Sequence, residues 1–311
     1  MPRPPAAAQA RAQTSAAGSR PAQPGAERAP PGSGTRAYGD PAWYDALHTP
    51  GTAGELRLAQ RLALRARARA GVQHDDPAAW VWLEPLCGSG RCLRVLARWG
   101  RRALGCDGDP RMLAYAAQRL GEAAPVRLGL CEMGACDAPF GHACADVAYC
   151  PHNSVRHARS DAHLARHLAS VGRALRPSGV YVVGVGLQRA SELILTEDVY
   201  TARRGRTAVH QVITFEPLTG APGDGAERVT TVTTAWKLDG RGRRSGPVLG
   251  PWIGAYRLRC FSVGRWEAIV ARAGLRQAAV FDQSGRPADP ASCAYAWRVL
   301  TRGPGSGRVS P

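Results

Sequence analysis

Four residues in this chain have the types and spacing to hold a nucleotide-like ligand. Glu84, Gly88 and Gly90 stand together in "LEPLCGSGR", and Asp107 follows about 20 residues on, in "GCDGDP". The glycines let the backbone pass close to a ligand. An acid at the tip of the next strand can accept hydrogen bonds from both hydroxyls of a ribose. Two ligand classes fail on the same residues. A dinucleotide turn needs a third small residue where this chain has Leu93, and a triphosphate loop needs a lysine that is absent near the turn. Glu84 suits a ligand carrying an ammonium group better than one carrying phosphates.

A second group lies further along, in "ADVAYCPHNSVRH": His152, Asn153, Ser154 and His157. His157 is the first choice for a general base, because an unperturbed imidazole titrates near neutrality. The plainer reading is a loop histidine that packs or bonds to backbone. Cys131, Cys136, Cys144 and Cys150 crowd with His142 and His152 into about 20 residues. No C-x₂-C knuckle occurs among them and the intervals match no common ligand spacing, so no metal is expected.

The elements that must position these groups follow from periodicity. Ala37 to about Ala70 reads as helical, with Leu58, Leu62 and Ala66 on one face. Short apolar strands are expected at 80–84, 103–107, 126–130, 145–149 and 179–186, alternating with helices. One helix opens on Asp109 and Pro110 and buries Leu113, Ala116, Ala117 and Leu120. Another is capped by Ser160, lines up Leu164, Leu168, Val171 and Leu175, and stops at Pro177. Such alternation means right-handed parallel crossovers. The segments "TAVHQVITFEP", "RVTTVTTAWKL" and "IGAYRLRCF" then alternate without helices, which predicts an antiparallel insertion. A helix capped by Ser262, and strands at 275–281 and 294–300, complete the sheet. The expected fold is α/β: a Rossmann-like, doubly wound seven-stranded sheet with an N-terminal helical cap and an inserted antiparallel β lid. The expected divisions are a disordered tail (1–36), cap (37–76), cofactor-binding core (77–187), lid (188–261), last core elements (262–302) and a short tail (303–311).

Taken in order, these motifs resemble the class I S-adenosylmethionine-dependent methyltransferases. "LEPLCGSGR" looks like the family's first motif and "GCDGDPRMLAYA" its second; "LCEMGACDAPF" resembles the third, "ADVAYCPHNSVRH" the fourth strand and its loop, and "LRPSGVYVVGVG" the turn into the fifth strand. Leu86 stands where the family usually has a small residue, Glu132 replaces the commoner Asp, and Ser178 replaces the first Gly of a Pro-Gly-Gly turn. The resemblance implies S-adenosylmethionine as cofactor, bound by Tyr44, Glu84, Gly88, Gly90, Asp107, Met112, Glu132, Met133 and Cys150. Tyr44 would close over it, and Glu132 with Met133 would hold adenine. It also implies methyl transfer to nitrogen or oxygen of a small molecule. "CPHNS" replaces the Asn/Asp-Pro-Pro-aromatic tetrad that often marks methyltransferases of base amines, which disfavours that class.

Bulk properties are compatible with this. The formal net charge of +17 would suit nucleic acid, so RNA or protein remains an alternative acceptor. Lys237 is the only lysine, however, and the arginines spread evenly without a compact basic block, so nucleic acid is not favoured. A non-catalytic module that keeps the fold is the other alternative. Arg203, Arg204 and Arg206 in the lid could draw an acidic acceptor, although a solvated charge cluster is the simpler meaning. No apolar run is long enough to span a membrane, and nine cysteines without a secretion signal point to a reducing, cytoplasmic setting.

Overall fold

The structure, a computed structural model, describes residues 39–72, 75–122, 124–187, 195–218, 225–291 and 295–303. The terminal tails of the sequence reading lie almost wholly outside these residues. Seven strands form one sheet: β1 (Val81–Pro85), β2 (Arg102–Asp107), β3 (Val126–Leu130), β4 (Ala145–Cys150), β5 (Leu175–Gly186), β10 (Leu275–Phe281) and β11 (Tyr295–Arg302). Their order is β10-β11-β5-β4-β1-β2-β3. The first five run parallel, and β11 is antiparallel to both its neighbours. The chain reverses its direction of travel between β1 and β4, and in such sheets ligands bind beyond the strand ends at that switch point. The glycine turn and the His152–His157 loop both leave the sheet there.

Among the described residues there are six α-helices, α1 (Pro41–His48), α2 (Thr52–Arg69), α3 (Arg91–Arg98), α4 (Pro110–Leu120), α5 (Asp161–Ala174) and α6 (Val263–Arg272), of which α1 packs on the inserted strands and the others on the sheet. Side-chain caps fix their starts: Asp40, Asp109, Ser160 and Ser262 accept from Ala42, Arg111, His163 and Arg265 N–H. The expected single N-terminal helix is two. Thr49-Pro50-Gly51 breaks it, with Gly51 at φ 85°. In α4 the buried stripe is Met112, Leu113 and Ala116; Ala117 is exposed and Leu120 only half-buried, because the helix covers an edge strand. Leu175 ends α5 in extended conformation and already belongs to β5.

The insertion is a four-stranded antiparallel meander: β6 (Thr196–Arg204), β7 (Thr207–Leu218), β8 (Ala226–Leu238) and β9 (Arg244–Arg259). β6 was not expected, since its polar and basic residues mask the alternation of an edge strand. The arginines at this end of the lid are a largely solvated cluster, with Arg203 and Arg206 exposed and Arg204 half-buried. Arg203 and Arg206 bond to the Gly205 and Leu238 carbonyls, and Arg204 donates to Tyr115 Oη and lies 3.5 Å from Asp45.

Asp45 joins that lid to the core. Buried on α1, it accepts from Ser89 Oγ of the glycine turn (3.0 Å), Arg94 of α3 (2.6 Å) and Tyr115 Oη of α4 (3.1 Å). On its other side α1 packs Leu47 against Val209 and Ala235, and Trp43 meets Trp252 with centroids 4.3 Å apart. Among the described residues no helix is long and apolar enough to cross a membrane. Replacing Asp45 by Ala leaves the Arg94 guanidinium buried without its carboxylate. Chemical denaturation should show a loss of about 3–5 kcal/mol; a change below about 1 kcal/mol would show that the pair does not hold α1 down.

Candidate active site

The turn after β1 is built on left-handed backbone. Leu86, Gly88 and Gly90 have φ of 60°, 51° and 69°. A leucine in this region costs about 1–2 kcal/mol, so the turn is held by its surroundings. The two glycines do different work. A Cβ on Gly90 would sit 2.9 Å from Ala116 Cβ, so Gly90 lets α4 pack on the turn. A Cβ on Gly88 would meet only Tyr44, at 3.7 Å, leaving its other side to the crevice.

Asp107 closes the turn. Its Oδ2 accepts the Gly88 N–H at 2.8 Å and its Oδ1 the Asp109 N–H at 2.9 Å. Each oxygen keeps a lone pair for another donor. Burial raises its pKa, opposed by these two N–H groups. Glu84, at the tip of β1, is buried, and its Oε2 has no hydrogen-bond partner. Burial pushes its pKa up to about 7, against the pull of Arg91. A buried carboxylate oxygen without a donor is costly, and a ligand ammonium supplies the missing one. Tyr44 lies over the turn; burial keeps its phenol protonated, with a pKa near 12.

The remaining expected residues are placed unevenly. Met112 and Met133 are buried apolar groups on α4 and on the short 3₁₀ turn Met133–Ala135. Glu132 turns the other way: its carboxylate takes the Gly134 N–H at 2.7 Å and pairs with Arg159 and His163. Cys150 is packed in the core, with burial raising its thiol to about 12. His157 ends the 3₁₀ turn Ser154–His157, with its ring 5.2 Å from that of Tyr256 on β9. Arg156 beside it donates to the Arg259 carbonyl and to Glu227, both at 2.6 Å, and so fastens this turn to the lid.

A group the sequence reading missed stands beside the turn. Glu55 of α2 pairs with Arg91 (3.0 Å) and His152 Nε2 (3.1 Å), and Tyr149 Oη donates to it at 3.4 Å. Burial would raise Glu55, but His152 and Arg91 outweigh it and hold the carboxyl at about 2. His48 is pushed down to about 3 by burial and by the charges of His152 and Arg91. His152 and Asn153 both have positive φ, held by Tyr295 Oη on the His152 N–H and by Asn153 Oδ1 on the Gly186 N–H. One signal was available: Arg91 opens a helix, where the macrodipole disfavours a cation unless a carboxylate faces it. A separate cleft of about 420 Å³ between α3 and α4, lined by Arg94, Arg98 and Arg119, lies away from this crevice.

A family model described as a methyltransferase domain matches residues 83–179. No curated protein matches the chain. Among solved structures it is similar to DesVI of Streptomyces venezuelae, at 21% identity over 81% of this chain and 92% of that one, with a TM-score of 0.60. The sugar N-methyltransferase KedS8 from Streptoalloteichus is 21% identical over 94% and 100%, with a TM-score of 0.55. The amino pentose methyltransferase CalS10 from Micromonospora echinaspora is 22% identical over 78% and 89%, with a TM-score of 0.53. At these identities the likeness is one of fold. The family match covers residues 83–179, the centre of the seven-stranded fold, as a methyltransferase domain.

Two outcomes follow. Asp107→Ala should abolish S-adenosylhomocysteine binding in isothermal titration, and affinity like that of the unaltered protein would remove the ribose assignment. Affinity should also fall as pH drops below about 7, because Glu84 must be ionised to take an ammonium. The limit is about tenfold per pH unit. Glu84→Gln should flatten that profile, and an equally steep one in the variant would clear Glu84.

Proposed function

We propose that the protein is an enzyme that moves a methyl group from S-adenosylmethionine to a nitrogen or oxygen of a small molecule. The observation that carries this reading is the orphaned, buried Glu84 Oε2 in the same crevice as the Asp107 carboxylate and the open side of Gly88. One end of the cofactor calls for an ammonium acceptor and its middle for a diol acceptor. Glu84 would take the ammonium, Asp107 the ribose hydroxyls, Tyr44 the outer face, and Met112 and Met133 the apolar wall beside adenine. Gly88 leaves room for the chain between them. When bound, S-adenosylmethionine supplies an electrophilic methyl carbon on a sulfonium leaving group.

The protein's part in the transfer is to align an acceptor lone pair with that carbon and exclude water, which can supply much of the acceleration. Burial and the Arg156 charge push His157 down to about 4, so it is neutral at pH 7 but a weaker base than a free imidazole, and would serve as base only if the bound acceptor raises its pKa. It sits between the core and β9, and β6–β9 would form the acceptor pocket. This role is chosen over nucleic acid because the arginines spread through the chain without a compact basic block.

Amino sugars head the acceptor panel, because two proteins of this fold are an amino pentose methyltransferase and a sugar N-methyltransferase. Incubation with methyl-labelled cofactor and a small-molecule extract should yield a labelled small molecule, and label confined to RNA or protein would overturn the reading. His157→Ala should lower kcat by about a hundredfold, the lower end for a positioned base, with unchanged S-adenosylhomocysteine affinity. Unchanged kcat would make His157 a packing residue.

A further inference from the structure

Cysteines that are scattered in the sequence meet in the fold. Cys106 closes β2 one residue before Asp107, Cys131 follows β3, and Cys136 follows the 3₁₀ turn. Their sulfur atoms all lie within 4.8 Å of one another. The β2–β3 ladder, which sets Cys106 opposite Gly129, brings the first two together, and Ser170 Oγ fixes the third by accepting the Cys136 N–H at 3.2 Å. The imidazole of His167, fully buried on α5, places Nδ1 3.5 Å from Cys136 Sγ. Of the six Cys and His residues that crowd together in sequence, only Cys131 and Cys136 join this set. Cys144 bonds to the Gly141 carbonyl, Cys150 packs in the core, and His142 and His152 pair with Asp137 and Glu55.

We propose that Cys106, Cys131 and Cys136 form a binding site for one zinc-class cation behind the wall that Met133 gives the cofactor crevice, with His167, whose Nδ1 approaches Cys136 alone, turning in as the fourth donor on loading. The dimensions suit it. Zn–S bonds of about 2.3 Å and a Zn–N bond of about 2.0 Å at tetrahedral angles put sulfur about 3.8 Å from sulfur and about 3.5 Å from nitrogen. Thiolate and imidazole donors select zinc over magnesium or calcium. The other imidazole nitrogen is anchored, as metal-binding histidines require: Nε2 lies 2.9 Å from Tyr181 Oη. Without a cation, Nδ1–H donates to the Met133 carbonyl at 2.9 Å. Loading moves the ring proton to Nε2, where Tyr181 Oη accepts it, and releases the thiol protons to solvent. The bound cation would tie β2, the Cys131–Cys136 segment and α5 together and so stiffen the turn that carries Met133.

Local spacing rules miss such a site because one ligand lies a whole β-α-β crossover upstream. The test uses the full chain, reduced and stripped with a chelator. Titration with Zn²⁺ against a chromophoric competitor should show one equivalent bound, and Co²⁺ should give thiolate-to-metal charge-transfer bands. Zinc, but not magnesium, should raise Tm. Cys131→Ser, at a half-exposed position, should lose the equivalent and the bands, and Cys144→Ser should keep both. No stoichiometric binding, binding that survives Cys131→Ser, or a disulfide among the three cysteines in the freshly purified chain would overturn the proposal.

Discussion

The hydrogen bond from the Gly88 amide to Asp107 is the constraint from which the crevice follows. It folds the turn after β1 back over the end of β2, where the two acids stand on neighbouring strand ends. A turn with three left-handed residues does not keep that shape unaided, least of all with a leucine among them. Asp107 holds it from one side, and the close approach of Ala116 to Gly90 holds it from the other. The same carboxylate that shapes the turn keeps lone pairs free for another donor, so fold and the proposed ribose site rest on one residue.

Around that turn the second fixed point is Asp45. A single buried carboxylate receives donors from the glycine turn, α3, α4 and, through Arg204, the lid. The helix bearing Asp45 also carries Tyr44 over the turn and Trp43 onto β9. Arg156 makes the matching link on the other flank, from the His157 turn to β8 and β9. Lid and cofactor crevice are therefore coupled mechanically at both ends, as a transferase that must align two molecules requires.

The seven-stranded sheet was legible because buried parallel strands read as apolar runs and the helix caps are explicit. Asp109-Pro110, Ser160 and Ser262 each start a helix where expected. β6 was hidden, since an edge strand with half its residues in solvent carries charge in place of alternation. The pairing of Asp107 with the glycine turn was legible from spacing, and the Gly88 N–H on its carboxylate agrees with it. The group around Glu55 was not, because it gathers residues from α2, α3, β4 and the β11 edge, and no linear interval encodes that meeting. Glu132 follows β3 where the motif has an acid, and its half-exposed carboxylate takes the Gly134 N–H and pairs with His163 of α5.

The most direct measurement is a crystal structure of the protein with S-adenosylhomocysteine. The ribose hydroxyls should lie within hydrogen-bond distance of both Asp107 oxygens, with the amino group on Glu84 Oε2 and the sulfur facing the His157 loop. A ligand bound elsewhere, or bound with Glu84 Oε2 still unpartnered, would contradict the assignment of this crevice.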